Sequence, residues 1–334
     1  MPNQFPKREY QPRPRKTRNE DGSPRPLPPP LPREVEEEAL RKPARRHSLP
    51  KNYPAASTAW EQQASWYDNL HGDEGDDFHS RLVLPAVMEQ LEAAPGQRLL
   101  DVCCGQGVLG RVAARAGIYV TGIDASPSLI ESAIKRAGNR ERYQVGDARR
   151  LGTAFPNDVF DAAALVLALQ DIDTIEPVFS GLFKIIRPGG RLVMVMTHPC
   201  FRIPKRTSWG FDEEVGVQYR RLEGYMTPIS LPIKTHPGQE HNTSSTTSFH
   251  RPLHTYINIL GQQGFGIVGC AELCSHRRGT IGVRSGAEDR AAKEFPVFMV
   301  LTAVRLEKAP KRKRNPPPVA EEQRSRSRQH RDSR

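Results

Sequence analysis

The residues that constrain this chain most run from Arg98 to Gly110, Arg-Leu-Leu-Asp-Val-Cys-Cys-Gly-Gln-Gly-Val-Leu-Gly. Leu99, Leu100 and Val102 form a short apolar run that predicts a buried strand. Gly105 and Gly107 end it in a turn, after which Val108, Leu109, Val112 and Ala113 follow at helical spacing. A strand, a glycine turn and a helix let bare backbone and a helix N-terminus approach a ligand closely. A single turn of this kind is a weak signal, so its meaning depends on the residues downstream of it.

The same unit recurs. A second strand, Tyr119 to Ile123, ends at Asp124, and Ser126 with Pro127 supplies an N-cap and a first-turn proline for a helix to Ala137. A third strand, Tyr143 to Val145, ends in Gly146-Asp147-Ala148. The fourth, Asp161 to Leu167, is nearly all apolar, as a strand covered on both faces should be. A helix over Ile175 to Ile186 stops at Arg187-Pro188-Gly189-Gly190 and leads into a fifth strand, Arg191 to Met196. Strand–helix alternation of this length predicts an α/β fold, a Rossmann-like, seven-stranded, mostly parallel sheet with helices on both faces. Upstream, Trp60, Trp66, Tyr67 and Leu70 suggest a short amphipathic element, followed by an acidic loop and a helix over Ser80 to Ala94. Downstream, Cys200 to Phe249 lacks clear periodicity and is expected to be a substrate-cap insert. A helix from His250 to Gln262 and two strands, near Gly266–Ala271 and Phe295–Val304, close the domain.

Charge separates the ends from the middle. Up to Lys51 there are thirteen Lys/Arg against seven Asp/Glu, and from Lys308 ten against three, so most of the +11 net charge lies in the ends. Residues 1–55, rich in proline and arginine, and 308–334 read as disordered tails around a domain at 56–307. The tails admit weak contact with nucleic acid or simple solvation. The longest apolar run, Ala162 to Leu169, is too short to cross a bilayer, so no membrane partner is expected. Five cysteines, an odd number, fit a reducing, cytoplasmic setting. Cys270 and Cys274 lack a second pair at zinc spacing, so no metal is expected. Nothing in the pattern sets an oligomeric state.

In an open parallel sheet, ligands sit beyond the carboxyl ends of the strands. Here Asp101 and the Gly105/Gly107 turn end the first strand, Asp124 the second and Asp147 the third. A carboxylate at the second position can accept both hydroxyls of a ribose, and one at the third can accept from an exocyclic amine. Gly105, Gly107 and Gly110 also satisfy a dinucleotide Gly-x-Gly-x-x-Gly spacing, so the glycines alone leave a nicotinamide reading open. Asp101-Val-Cys-Cys-Gly-Gln-Gly107, Gly122-Ile-Asp124, Gly146-Asp147-Ala148 and Arg187-Pro-Gly-Gly190 together resemble the successive motifs of class I S-adenosylmethionine-dependent methyltransferases, over residues 95–200. The resemblance implies S-adenosylmethionine as cofactor. It places Gly105 and Gly107 near the methionine part, Asp124 at the ribose, and Asp147 with Ala148 at the adenine edge, with Asp101, Cys103 and Ala125 also expected to bind the cofactor. Leu167 and Gln170 are then expected near the sulfonium, and Tyr67 is similar to the aromatic that closes over the cofactor.

A base is needed only where the acceptor must lose a proton. His198, in Thr-His-Pro-Cys-Phe, and His250, in Phe-His-Arg-Pro-Leu, are the candidates, each with a second reading as a structural histidine. Arg251 could bind an acidic acceptor or pair with a surface carboxylate. The Pro-Cys pair at Cys200 does not follow the fourth strand, where RNA 5-methylcytosine methyltransferases carry theirs, and no Asn-Pro-Pro-Tyr is present. Both absences favour a small-molecule acceptor, and the aromatic insert with the near-neutral middle of the chain favours its O- or C-methylation. An RNA- or ribosome-associated methyltransferase that uses the tails, and a cofactor-binding scaffold without turnover, are the alternatives.

Overall fold

The computed structural model describes residues 60–234, 245–279 and 281–307. The predicted tails, 1–55 and 308–334, and their proposed nucleic-acid contact lie outside the described residues. The sheet begins with β1 (Arg98–Val102), β2 (Tyr119–Asp124), β3 (Glu141–Val145), β4 (Phe160–Val166) and β5 (Ile186–Thr197). Two hairpins follow, β6 (Thr207–Asp212) with β7 (Val217–Leu222), and β8 (Ile229–Lys234) with β9 (Ser245–His250). β10 (Phe265–Leu273) and β11 (Phe298–Arg305) complete the central sheet, whose order is β10-β11-β5-β4-β1-β2-β3. β1 to β5 pair in parallel, while β11 runs antiparallel to both β5 and β10. The predicted seven-stranded sheet is therefore present.

Side chains alternate across a strand, and here both faces are covered. Leu100 and Val102 of β1, Ala163 and Leu165 of β4, and Leu192, Met194 and Met196 of β5 share one core. Their neighbours Leu99, Ala162, Ala164, Val193 and Val195 lie in a second. The eight helices are α1 (Ala64–His71), α2 (Leu84–Leu91), α3 (Val108–Arg115), α4 (Pro127–Arg136), α5 (Leu151–Ala154), α6 (Glu176–Ile185), α7 (Leu253–Gln262) and α8 (Ser285–Glu294) among the described residues. The first core is closed by Phe179 and Leu182 of α6 and Leu260 of α7, the second by Val87 and Leu91 of α2 and Leu109 of α3. Each fully buried side chain of this size contributes about 1.5–3 kcal/mol. No described helix is long and apolar enough to cross a membrane.

Four expectations are corrected. The single helix over Ser80 to Ala94 is a π-turn, His79–Val83, leading into α2, which stops at Leu91 where Glu92 adopts φ 46°. Pro85 has no amide hydrogen for the Arg81 carbonyl, so the turn before it opens. The insert after Cys200 holds two hairpins in its described part, where the sequence shows no clear alternation because β6, β7 and β8 are largely exposed and the inward residues of β9, Thr246, Ser248 and His250, are polar. His250 is the last residue of β9 and not the start of a helix; α7 begins at Leu253, after an extended Pro252. α8 lies in a stretch with no expected helix, and it buries only Ala287 and Ala291.

Candidate functional site

The carboxyl ends of β1, β2 and β4 converge on a group of carboxylates. Asp124 closes β2, and its two oxygens accept the Gly105 and Ser126 amides, each at 2.9 Å. The Ala125 amide faces the same carboxylate. Desolvation raises the Asp124 pKa against the pull of these three amides. Asp101, 2% exposed, has an Oδ2 with no hydrogen-bond partner, and burial followed by the charge of Asp124 pushes its pKa up to about 7. Asp171, in a 3-10 turn after β4, is also pushed up to about 7 by desolvation, with Asp124 adding to it and the Trp60 indole donating against it. Like charges held out of water in this way are stabilised by a cation.

The backbone is strained at the same place. Cys103 (φ 58°) and Leu167 (φ 53°) are non-glycine residues in the left-handed region, directly after the neighbouring strands β1 and β4. Such positions cost roughly 1–3 kcal/mol each and gather at functional sites. Burial holds the Cys103 and Cys104 thiols protonated, well above their ordinary pKa, so neither is a ready nucleophile.

Tyr67 covers this group from α1. A Cβ built on Gly105 (φ +52°) would sit 3.4 Å from the Tyr67 ring, so tyrosine and glycine lie close against one another. Burial and the surrounding Asp124, Asp76, Asp171 and Asp101 carboxylates push the Tyr67 phenol pKa up. Three contacts hold α1 in place. Arg136 of α4 grips Asp68 through two nitrogens, at 2.7 and 3.1 Å, and reaches Asp73 at 2.8 Å. Glu61 accepts the Ser126 and Ser128 hydroxyls at the start of α4. Arg111, buried in α3, donates to the Asp73 carbonyl at 2.9 Å and to both the carbonyl and the side-chain oxygen of Gln106 at 2.7 Å. The Tyr67 ring rests on His71 at 4.1 Å, and His71 on His79 at 4.5 Å. His71, Asp76 and His79 place possible ligand atoms within 4.8 Å of one another, a cluster the sequence did not single out. The atoms are already engaged: His71 Nδ1 accepts the Asp76 amide, and His79 Nδ1 donates to Asp76 Oδ1 at 2.9 Å.

The glycines divide into two sets. Gly107, Gly110 and Gly122 surround Tyr143 of β3, and a Cβ on any of them would lie within 2.6 Å of its ring or hydroxyl. Internal packing accounts for these three, and Gly105 is the one of the turn that looks towards Tyr67. At β3, Asp147 caps the following 3-10 turn through the Arg149 amide at 2.8 Å and pairs with the Arg149 guanidinium. Burial opposes ionisation there, yet the Arg149 bonds hold the Asp147 pKa below its ordinary value. Ala148 is buried in the core beside it.

A second region, a shallow cleft open to solvent, lies between the ends of β5 and β9. Gln170 joins the two regions: its amide donates to the Leu167 carbonyl, and its Oε1 is buried without a partner. His250 lines the cleft and donates from Nε2 to the Tyr225 carbonyl at 2.8 Å. A carbonyl only accepts, so the lone pair of neutral His250 lies on Nδ1, which meets no partner among the described residues. His198 is placed differently. It is buried, its Nδ1 accepts the Cys200 amide at 3.2 Å, and its Nε2 donates to Glu272 at 2.7 Å, which leaves neither ring nitrogen open. Burial lowers its pKa despite the Glu272 carboxylate. Arg251 follows neither of its two expected roles; it donates to the Leu169, Ile172 and Asp173 carbonyls. Asp171 is a site residue that sequence reasoning passed over, although it adjoins Gln170.

Residues 100–194 match the family described as methyltransferase domain. A 2-phytyl-1,4-naphtoquinone methyltransferase of Synechococcus elongatus is 34% identical over 153 residues, 43% of this chain and 64% of that protein. The chain thus spans less than two thirds of the first curated relatives it matches. A demethylmenaquinone methyltransferase of Streptomyces avermitilis is 29% identical over 58% of this chain and 78% of its own length. The crystal structure of an S-adenosylmethionine dependent methyltransferase from Mesorhizobium loti superposes with a TM-score of 0.53 at 28% identity, over 66% of this chain and 96% of that one. Strand order agrees with these matches: the chain has the fold of the S-adenosylmethionine-dependent methyltransferases and is similar to them in sequence.

Proposed function

We propose that the protein binds S-adenosylmethionine at the ends of β1, β2 and β4 and methylates an oxygen or carbon of a small molecule. The observation that carries this reading is the desolvated set Asp101, Asp124 and Asp171, with Asp101 Oδ2 unpartnered. Three withdrawn carboxylates call for a cationic ligand, and the Tyr67 ring lies beside them. When bound, S-adenosylmethionine supplies a methyl group on a positively charged sulfur, so the chain's task is mainly to position donor and acceptor. Asp124 would accept a ribose hydroxyl. Asp147 and Ala148 would lie at the adenine edge, with Arg149 sharing the Asp147 carboxylate, and Leu167 and Gln170 would border the methionine end. His250, with Nδ1 open to the cleft, is better placed than His198 to take a proton from the acceptor. All five cysteines are free, which supports a reducing compartment such as the cytosol. The quinone-directed names of the relatives support a small acceptor.

The test is calorimetry with S-adenosylmethionine and its demethylated product from pH 6 to pH 8, in two buffers of different ionisation enthalpy. In the ligand-free chain Asp101 and Asp171 sit near pKa 7, above the ordinary 3.8, so the folded state holds protons that the unfolded chain has released. Those two groups therefore stabilise the free fold as pH falls from 7 towards 4 and do so least above 7. A cationic ligand reverses the preference by favouring both ionised forms. Binding is expected to release protons, to tighten by up to about tenfold per pH unit per carboxylate below pH 7, and to level off above it. S-Adenosylmethionine should accordingly raise the melting temperature more at pH 8 than at pH 6. No binding of either nucleoside, with uptake of a nicotinamide dinucleotide instead, would overturn the reading.

A further inference from the structure

The cleft beside Gln170 is lined by an arginine that meets no acid among the described residues. Arg202 is half-buried in the turn after β5, its amide fixed by the His198 carbonyl at 2.8 Å, and its side chain lines the cleft with Gln170, Ser248, His250 and Tyr256. Among the described residues its guanidinium meets no carboxylate and no hydrogen-bond acceptor, although an arginine has five donors to place. Resting on the small-molecule reading above, we propose that the methyl acceptor is a hydroxylated acid, whose carboxylate or phosphate pairs with Arg202 while its hydroxyl faces Gln170 and His250.

The surroundings sharpen this assignment. Arg220 lies close enough to Arg202 for the two cations to act on one another, and it too lacks an acid. Its guanidinium donates to the Phe201 carbonyl at 3.1 Å and the Thr207 hydroxyl at 2.6 Å, and lies over the Trp209 ring at 4.8 Å. Burial lowers the pKa of Arg202, with no partner to offset it. The nearby Glu272 carboxylate is engaged by His198, and Arg251 is spent on three carbonyls. One region of the cleft therefore carries uncompensated positive charge. At the other, Gln170 Oε1 and His250 Nδ1 are acceptors without donors, which a hydroxyl would supply. An anion and a hydroxyl on one small molecule satisfy both, and a guanidinium binds either kind of anion through paired hydrogen bonds.

The test compares 4-hydroxybenzoate and 4-hydroxyphenyl phosphate with the neutral 4-hydroxybenzamide, on wild type, Arg202→Gln and Arg202→Lys. Binding is followed by calorimetry and by the ¹⁵N shift of the Arg202 Nε, with and without the demethylated donor product. Wild type is expected to bind one of the two acids roughly tenfold or more tightly than the amide, and the preferred acid tells carboxylate from phosphate. Arg202→Gln should erase most of that preference, Arg202→Lys should keep part of it, and affinity for the nucleoside should stay unchanged in both. Equal binding of acid and amide by wild type, no binding of either acid at millimolar concentration, or a preference that survives in Arg202→Gln would overturn the proposal. If wild type ignores the nucleoside, the cofactor reading fails alone, because acid-versus-amide preference in the ligand-free chain still decides the role of Arg202.

Discussion

Replacing Asp124 with alanine is expected to weaken S-adenosylmethionine binding by about 1.5–3 kcal/mol, the worth of charge-assisted hydrogen bonds. The carboxylate already accepts the Gly105, Ser126 and Ala125 amides, which leaves about one acceptor site for a ligand hydroxyl. Its loss affects the free protein in two opposing ways. The three amides lose an acceptor, while Asp101 loses the neighbouring charge that, after burial, raises its pKa. The fold should therefore survive, and proton release on binding should fall together with affinity. Calorimetry at pH 7.5 on a variant with native circular dichroism reads both. Unchanged affinity would remove Asp124 from the site.

The largest effect on stability is expected from Gly110→Ala in α3. An alanine inside a helix ordinarily gains up to about 1 kcal/mol over glycine. Here the added Cβ would lie 2.2 Å from the Tyr143 hydroxyl oxygen. Tyr143 has nowhere to withdraw: its hydroxyl donates to Glu141 at 2.8 Å, and its ring sits against Gly107 and Gly122. Overpacking of this kind costs about 1–3 kcal/mol, so the substitution should lower the melting temperature despite its helix propensity. Tyr143→Phe removes the clashing oxygen and leaves Cζ, at 3.2 Å, as the nearest atom. In that background the cost should shrink to well under half. A Gly110→Ala variant more stable than wild type, or an equal cost in both backgrounds, would sink this account of the glycines.

The glycines also mark how far the sequence could be read. The Gly-x-Gly turn suggested a ligand approach at Gly105 and Gly107 alike, and spacing could not separate them. Their different roles depend on Tyr143, thirty-odd residues away in the chain and brought beneath the turn by the pairing of β2 with β3. The two histidines show the same limit. Both stand at strand ends in similar local sequence, but Glu272, reached through β10 and β11, occupies His198, whereas the Tyr225 carbonyl leaves one nitrogen of His250 open.

The alternation of apolar strands with helical spacing was sufficient for the sheet and its parallel core, because a strand buried on both faces must be apolar throughout. The same pattern marked Asp101, Asp124 and Asp147, since carboxyl strand ends in such a sheet share one edge. The cap hairpins and α8 were not legible, because β6, β7 and α8 bury little surface and the inward residues of β9 are polar. Nor was the charge balance of the site, which depends on what is missing from a neighbourhood. Only the fold could show that Asp101 keeps an unpartnered oxygen and that Arg202 meets no acid among the described residues, because a counter-charge can come from a distant part of the chain.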